Sequence, residues 1–583
     1  MDIFNVLSLL GGLGFFLFGM HVLSEGLEKT AGSKMQSILQ KITANRLKGL
    51  AVGTVVTAVI QSSSAVTVML VGLVNAGLMS LTQAISVTMG SNIGTTMTAW
   101  ILSLTGISSD NVFMALLKPV NFSTIIAFIG AFLLMFSKKD KRKNIGMICV
   151  GFAVLMFGMD MMSGAVKPLA DMPQFVSVLT AFKNPILGVL AGTVFTAALQ
   201  SSSASVGVLQ ALSLTGAVTY SSAIPIIMGQ NIGTCISALM AVPGTNKNAK
   251  RVAIVHVLFN AIGSAFWLIL WSVVKVAVRP AFADMAIDPA GIAVVHSIFN
   301  IATTVMLFPA AGLLEKLSRM IVKGEEKDAL PEVVMDELLM TVPAVAAAHA
   351  YDTTKAMAEI AEQTVTDAVG LMFDAYTADT AQEVLRKEKT LDMYEDTLGT
   401  YLVKLSRCNL SDADALTTAM LLHTISDFER IGDHANNIVA TAEEMRAKKI
   451  EFSAEAVAEL RVMTAALTRI LHNTVKAFTA NDLAAAADIE PLEQVIDTLI
   501  DTVRTRHITR LQGGNCTIEL GFVLTDFLTD CERISDHCSN VGVALLETAH
   551  GTFDTHERLR AIKDKSSQAY KQAFERYNAE FAL

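Results

Sequence analysis

A chain of 583 residues is too long for one ordinary soluble core, and a mean hydropathy of +0.48 is too apolar for a simple soluble assembly of domains. Charge is unevenly spread: residues up to 314 carry 18 Lys+Arg and 9 Asp+Glu, net +9, whereas the remainder carries 27 and 45, net −18. The first part therefore reads as membrane-embedded and the second as an acidic soluble domain. The six cysteines, at 149, 235, 408, 516, 531 and 538, show neither CxxC nor zinc spacing and read as reduced thiols. No basic n-region opens the chain, so no cleaved signal peptide is expected.

In chain order, residues 3–23 form a first spanning helix, about the 20 apolar residues a bilayer core needs. A basic loop follows over 25–48, with Lys29, Lys34, Lys41, Arg46 and Lys48. Residues 49–60 are apolar but too short to cross alone, and they end at Gln61-Ser62-Ser63-Ser64. Residues 65–79 continue apolar. The stretch 84–104 is expected to break at Gly90-Ser91-Asn92-Ile93-Gly94-Thr95-Thr96, and 112–136 to span. Six charged residues, Lys138 to Lys143, then mark a seam.

Beyond the seam the pattern returns at an offset of 139. Gln61 to Ser64 become Gln200-Ser201-Ser202-Ser203, and Asn92 to Thr95 become Asn231-Ile232-Gly233-Thr234. Gly19-Met20, Asn45 and Asn121 land on Gly158-Met159, Asn184 and Asn260. No gap is needed, so this is an internal duplication, with repeats of about 3–136 and 145–275 and a last span at 291–312. Residues 49–60 and 188–199 read as half-helices or arms of re-entrant hairpins.

Lys/Arg-rich loops stay on the cytoplasmic side. That places 25–48, 137–144 and the Asn246–Arg251 loop inside. The loop near Asp110, counterpart of the last of these, falls outside. Equivalent spans then run in opposite directions, and the repeats are inverted. The expected N-terminus is outside and the acidic part cytoplasmic.

After residue 314, Ala, Leu, Glu, Asp and Lys dominate. A linker is expected over 315–334 and a helical bundle over 335–583. The bundle also repeats internally: Asp427-Phe428-Glu429-Arg430-Ile431-Gly432-Asp433-His434 returns as Asp530-Cys531-Glu532-Arg533-Ile534-Ser535-Asp536-His537, offset 103, and Asp392 and Asp396 match Glu493 and Asp497, offset 101. Two three-helix halves follow.

In lipid every buried polar backbone group needs a partner. Gly, Ser, Thr, Asn and Gln at a helix break supply carbonyls and hydroxyls for a hard cation such as Na+. Helix N-termini with serine hydroxyls suit an oxyanion. The charge-free stretches contain no Lys or Arg, so a doubly charged anion needs co-bound cations to offset its charge. Serine runs also mediate helix packing, but duplication together with Gln and a duplicated Asn-Ile-Gly-Thr favours ligand binding. Gly49/Gly53 and Gly188/Gly192 read as packing. His256/Asn260 and His296/Asn300, each one helical turn apart, line a pathway or bond between helices. Glu429, Asp433, Glu532 and Asp536, with Asp392, Asp396, Glu493 and Asp497, are candidate metal ligands; surface ion pairs with Arg430 and Arg533 are the alternative.

The twin Gln-Ser-Ser-Ser runs, each followed by Gly-x-Asn-Ile-Gly-Thr, resemble the type II sodium/phosphate cotransporters, and the twice-occurring Glu-Arg-Ile-x-Asp-His resembles the phosphate-signalling regulator PhoU. The resemblance implies an all-α polytopic transporter of two inverted repeats with broken helices, carrying a PhoU-like bundle, and not an enzyme. It implies Na+-coupled import of inorganic phosphate by alternating access. Ser62 to Ser64 and Ser201 to Ser203 would hold phosphate and Na+, with Gln61, Gln200, Asn92, Asn231, Thr95 and Thr234 in or beside the site. Divalent or ferric ions would bind the PhoU-like carboxylates. Expected partners are phosphate, sodium ions and the lipid bilayer of a bacterial cytoplasmic membrane, without nucleic acid; a homodimer is left open. The alternatives are a membrane phosphate sensor signalling through the PhoU-like part, and a Na+-coupled carrier of another oxyanion.

Overall fold

The computed structural model describes residues 3–31, 45–106, 119–168, 172, 177, 181–324, 334–373, 376–514, 516–549 and 568–583. The described residues are helical, with one isolated bridge between Thr219 and Ala286 and no β-strand. They form two compact units: Met1–Leu330 with Asp336–Val345, and Pro331–Met335 with Ala346–Leu583. Lys34, Lys41, Asp110 and the central part of the expected linker, 325–333, lie outside the described residues.

The first unit repeats helix for helix at the spacing of the sequence duplication. α1 (Ile3–Ala31) is followed by α2 (Arg46–Ile60), α3 (Ser63–Asn75), α4 (Leu81–Ser103) and α5 (Pro119–Phe136). The second copy has α6 (Asp140–Val166), α7 (Pro185–Leu199), α8 (Ser202–Ser213), α9 (Tyr220–Gly233), α10 (Cys235–Ala241) and α11 (Lys247–Ala277); α12 (Pro289–Leu307) and α13 (Ala311–Ile321) close the unit. Asn45 and Asn184 cap α2 and α7 alike, accepting from Leu47 N and Ile186 N. Among the described residues five segments are long and apolar enough to cross a membrane: Ile3–Thr30, Asp140–Val166, Tyr220–Ala241, Lys247–Ala277 and Pro289–Leu307. The paired helices α2/α3 and α7/α8 have only 12 to 15 residues each. At 1.5 Å per residue they reach roughly 18–23 Å, short of a hydrocarbon core of about 30 Å.

The expected break within 90–96 is absent. α4 runs through it, because its polar side chains bond within their own helix: Asn92 Nδ2 donates to Thr88 O (3.2 Å) and Thr95 Oγ1 to Ser91 O (3.0 Å). The glycines there serve close packing instead. A Cβ on Gly90 would lie 2.0 Å from Leu50 O, and one on Gly53 2.1 Å from Val87 O. The duplicate repeats this at Gly229 (2.0 Å from Val189 O) and Gly192 (2.1 Å from Ile226 O). There the helix is interrupted only at Thr234, whose backbone stays near helical values (φ −61°, ψ −27°). The last span also stops early, at Leu307, and α13 is a separate helix.

α1 packs on its own duplicate, α6. Gly12 meets Gly158 and Met162, Gly19 meets Gly151 and Leu155, and Gly26 meets Asn144 and Ile148. Rising numbers on one helix face falling numbers on the other, so the two equivalent helices are antiparallel. The unit also grips the chain that leaves it. Buried Arg251 donates from Nη2 to Val322 O (3.0 Å) and Gly324 O (2.6 Å). Farther on, Asp336 Oδ2 accepts from Asn75 Nδ2 (2.8 Å), and Leu339 is buried against Gly72.

The second unit consists mainly of six long helices in two sets of three: α14 (Pro343–Phe373), α15 (Ala378–Leu405) and α16 (Asp412–Lys448), then α17 (Ala454–Ala480), α19 (Ile489–Gln512) and α20 (Ile518–Ala549). A short α18 (Leu483–Ala487) and the terminal α21 (Gln568–Glu580) complete it. Its core includes an edge-on contact of Phe428 with Phe478, ring centres 5.2 Å apart.

The glycine contacts give a direct test. Gly53→Ala and Gly192→Ala each force helices apart and are expected to destabilise the unit by about 1–3 kcal/mol. Gly14→Ala, with nothing within 4 Å of its Cβ, should leave stability unchanged. Thermal unfolding of the full chain in detergent measures the difference.

Candidate substrate and ion site

Each short-helix pair turns on two residues. Gln61 ends α2 in the left-handed region (φ 61°) and Gln200 ends α7 likewise (φ 53°). Ser62 and Ser201 follow in extended conformation and start the next helix, their hydroxyls accepting from Ala65 N and Ala204 N at 3.2 Å. The break is thus closed by one left-handed residue and one serine cap. A helix leaves its first N–H groups without intrahelical partners, so the start of α3 and of α8 presents donors beside the serine runs. Among the described residues, the hydroxyls of Ser63, Ser64, Ser202 and Ser203 make no hydrogen bond, and none joins one run directly to the other. These tips combine donor N–H groups, hydroxyls able to donate or accept, and a helix N-terminus, a set suited to an oxyanion with a small cation beside it.

The two tips are differently engaged. Gln61 is buried; its Oε1 accepts from Thr98 Oγ1 at 2.8 Å and its amide donates to Ala58 O. Gln200 is exposed, and among the described residues its amide reaches only Met240 Sδ, at 3.8 Å. Behind the first tip Thr57 Oγ1 donates to Ser91 Oγ (2.8 Å). Behind the second, Thr196 and Gln230 both donate to Ser205 Oγ, at 2.8 and 2.9 Å. Gln210 on α8 ties the copies together, its amide donating to Ala99 O of α4 and to Pro289 O, both at 3.0 Å. Thr98, Ser205, Gln210 and Gln230 went unremarked in the sequence, although each is a polar residue in a charge-free apolar stretch, the signal that marked the others.

Asn231 and Thr234 are buried and bond to Ile227 O and Gln230 O within their helix. His256 and Asn260 of α11 adjoin them through Cys235, whose Sγ lies 3.4 Å from Asn260 Nδ2. His296 and Asn300 sit one turn apart on α12. All four are buried, and among the described residues His256 Nδ1, Asn260 Oδ1, His296 Nδ1 and Asn300 Oδ1 have no hydrogen-bond partner. Unspent polar atoms in such a setting are costly unless a water or an ion meets them.

In the second unit the carboxylates divide unequally. Glu388, Asp392 and Asp433 offer oxygens all within 4.8 Å of one another. Burial, then the negative charges of Asp433, Asp392 and Glu395, raise the Glu429 carboxyl to about 7. Asp396 adds to the same field at Asp392. An all-oxygen, acidic set of this kind fits a hard divalent or ferric ion. Glu388 escaped the sequence reading, although it lies one turn before Asp392 on α15. In the other half Glu493 and Asp497 share the surroundings of Tyr570 with Glu490. Glu532 and Asp536 instead face arginines, Arg504 at 4.0 Å and Arg533 at 3.4 Å. The two histidines beside the motifs pair across the halves: His434 Nδ1 lies 2.8 Å from Asp530 Oδ1, and His537 Nδ1 lies 2.9 Å from Asp427 Oδ1. Asn437 and Asn540 donate to the same two carboxylates, and the imidazoles stack with centres 5.9 Å apart.

A helical membrane unit built from two copies of a short-helix pair, each turning on Gln-Ser, is the architecture of a secondary transporter. The sequence model of the Na+/Pi-cotransporter family matches it twice, over residues 15–164 and 157–286, and that of the PhoU domain matches 354–442 and 460–544. The uncharacterised protein YqeW of Bacillus subtilis is 31% identical over 313 residues, 53% of this chain and 96% of YqeW. YjbB of Salmonella typhimurium, provisionally named an inorganic phosphate export protein, is 22% identical over 553 residues, 93% of this chain and 98% of YjbB. The rat sodium-dependent phosphate transport protein 2A is 39% identical over 98 residues, 16% of this chain and 15% of the rat protein. The chain belongs to the Na+/Pi-cotransporter family and carries a PhoU domain.

The acidic cluster carries a pH signature. A carboxyl raised to about 7 keeps its proton in the folded state after the unfolded chain has lost it, so this group's contribution to stability is lost as pH rises from roughly 4.5 through 7. A cation that reached Glu429 would displace that proton. Calorimetric titration of the full chain with Mn2+ is expected to show tighter binding at about pH 8 than at about pH 6, and Asp433→Asn should remove the binding. Equal affinity at both pH values would mean that Glu429 lies outside the ion's reach.

Proposed function

We propose that this phosphate-transport family member is a sodium-coupled symporter of inorganic phosphate working by alternating access between inverted repeats. The observation that carries the reading is the pair of Gln-Ser tips, each placing unspent serine hydroxyls at a helix N-terminus in a charge-free stretch. Phosphate and Na+ would be held by Ser62, Ser63, Ser64, Ser201, Ser202 and Ser203, with Gln61, Gln200, Asn92, Asn231, Thr95 and Thr234 bounding the site. His256, Asn260, His296 and Asn300 would line the route to it, their unpartnered atoms meeting water or ions in transit. The antiparallel packing of α1 on its duplicate α6 supports inverted repeats, and the Lys/Arg loops support a cytoplasmic PhoU domain. That domain would hold a metal ion at Glu388, Asp392 and Asp433 and report on phosphate.

With Na+ held higher outside, a symporter carries phosphate inward. A second reading, outward transport, is favoured by the name given to YjbB, which this chain matches along nearly its whole length.

Radiolabelled phosphate flux in proteoliposomes tests both. Uptake should require an inward Na+ gradient and reverse with it. Ser63→Ala and Ser202→Ala should each weaken apparent phosphate affinity about five- to hundredfold, the equivalent of a buried polar group left unpaired at roughly 1–3 kcal/mol, while Ser163→Ala should not. Flux indifferent to Na+ would reject the symporter.

A further inference from the structure

The duplication makes Ser237 the counterpart of Thr98 and Gln200 the counterpart of Gln61, all at offset 139. In the first copy the pair is joined: Thr98 Oγ1 donates to Gln61 Oε1 at 2.8 Å, and both residues are buried. In the second copy it is not. Ser237 Oγ is buried with no hydrogen-bond partner among the described residues, and Gln200 is exposed. The surroundings differ in step. Met240 is 60% exposed beside the Gln200 amide, whereas its counterpart Ile101 is half-buried. Serine and threonine carry the hydroxyl on the same Cβ atom, so chemistry gives no reason for the difference. The two copies thus hold the same pair of groups in two arrangements.

We propose that Gln61–Thr98 and Gln200–Ser237 are alternating latches, one closed in each access state, and that Ser237 is the positioning residue awaiting Gln200 in the state opposite to this one. The proposal rests on the alternating-access reading above. In this conformation the first tip is fastened to α4 and the second is loose. Exchanging the conformations of the copies would release Gln61, bring Gln200 onto the Ser237 hydroxyl, and draw the second tip over Met240. Each exchange then replaces one hydrogen bond by its equivalent, and the unpaired buried hydroxyl passes from one copy to the other. The two states are thereby kept close in energy, which a carrier that must visit both requires.

The test places a reporter at Met240→Cys in the full chain and follows its reaction with N-ethylmaleimide over the parent with its six native cysteines. Removing one hydrogen bond should shift the balance of states about two- to tenfold. Ser237→Ala should favour the conformation seen here, keep the reporter fully reactive and slow Na+-driven uptake by about that factor. Thr98→Val should act oppositely and slow the reporter's alkylation by a similar factor. Ser237→Thr, which restores the hydroxyl, should behave as the parent. Equal reporter reactivity in Ser237→Ala and Thr98→Val would overturn the latches, and since the two substitutions lie in different copies, loss of folding in one leaves the other informative. The alkylation is measured without sodium, so its outcome is separate from that of the flux assay. Opposite shifts with Na+-independent flux would sink the symporter and leave the latches standing; Na+-driven flux with unmoved reactivity would do the reverse.

Discussion

A helix that stops inside hydrocarbon exposes carbonyls and N–H groups that have no water to turn to, and the membrane unit depends on how it meets that constraint at two places. The solution is the same in both copies: a glutamine in the left-handed region and a serine whose hydroxyl takes up one freed N–H. Because the break takes only two residues, the arms on either side remain short helices of 12 to 15 residues, each shorter than a hydrocarbon core of about 30 Å. The arms are held by backbone contact at glycines, which allows α2 and α7 to lie against α4 and α9 with no side chain between. Ser62 and Ser201, both in the proposed site, are also the structural caps, so replacing either would disturb the turn as well as the site.

The PhoU domain solves a different problem. Its halves descend from one unit, but in the described residues one brings Glu388, Asp392 and Asp433 within 4.8 Å of one another, whereas Glu532 and Asp536 of the other face arginines. What the halves share is the crossed pairing of histidine and aspartate. Each motif supplies an acid to the other's imidazole and receives one in return. Four residues from two helices thereby fix α16 against α20 next to Asp433, so the geometry of the acidic cluster is set by an interlock that involves both halves.

Much of this was readable in the sequence because duplication repeats local signals. Asn45 and Asn184, Ser62 and Ser201 are caps whose partners lie two or three residues away, and such contacts follow from short-range pattern alone. The glycines at 90 and 94 misled for the same reason: seen locally they permit a break, and only the neighbour that approaches them, α2, shows that they are there to admit it. Asp530 lies 96 residues from His434, too far for any local pattern to pair them, and the histidines therefore looked like companions of the adjacent carboxylates. Glu388 has no acidic counterpart at the repeat offset, since residue 489 is isoleucine, and a search guided by repetition passes over it. Boundaries suffered where a helix simply ends in apolar sequence, as α12 does at Leu307.

The contact of α1 with α6 has a bearing on where such a molecule can come from. Gly12 and Gly19 on one helix mesh with Gly158 and Gly151 on the other, and these are the same two positions of the repeat. A surface that fits its own duplicate is self-complementary, like the isologous face of a symmetric dimer. A gene encoding a single copy would already specify that face, and two of its products, inserted in opposite senses, could meet along it. Fusion would then add no new interface; it would bind together partners that had already met, after which α4 and α9 were free to diverge while the glycine ridge had to stay matched on both sides.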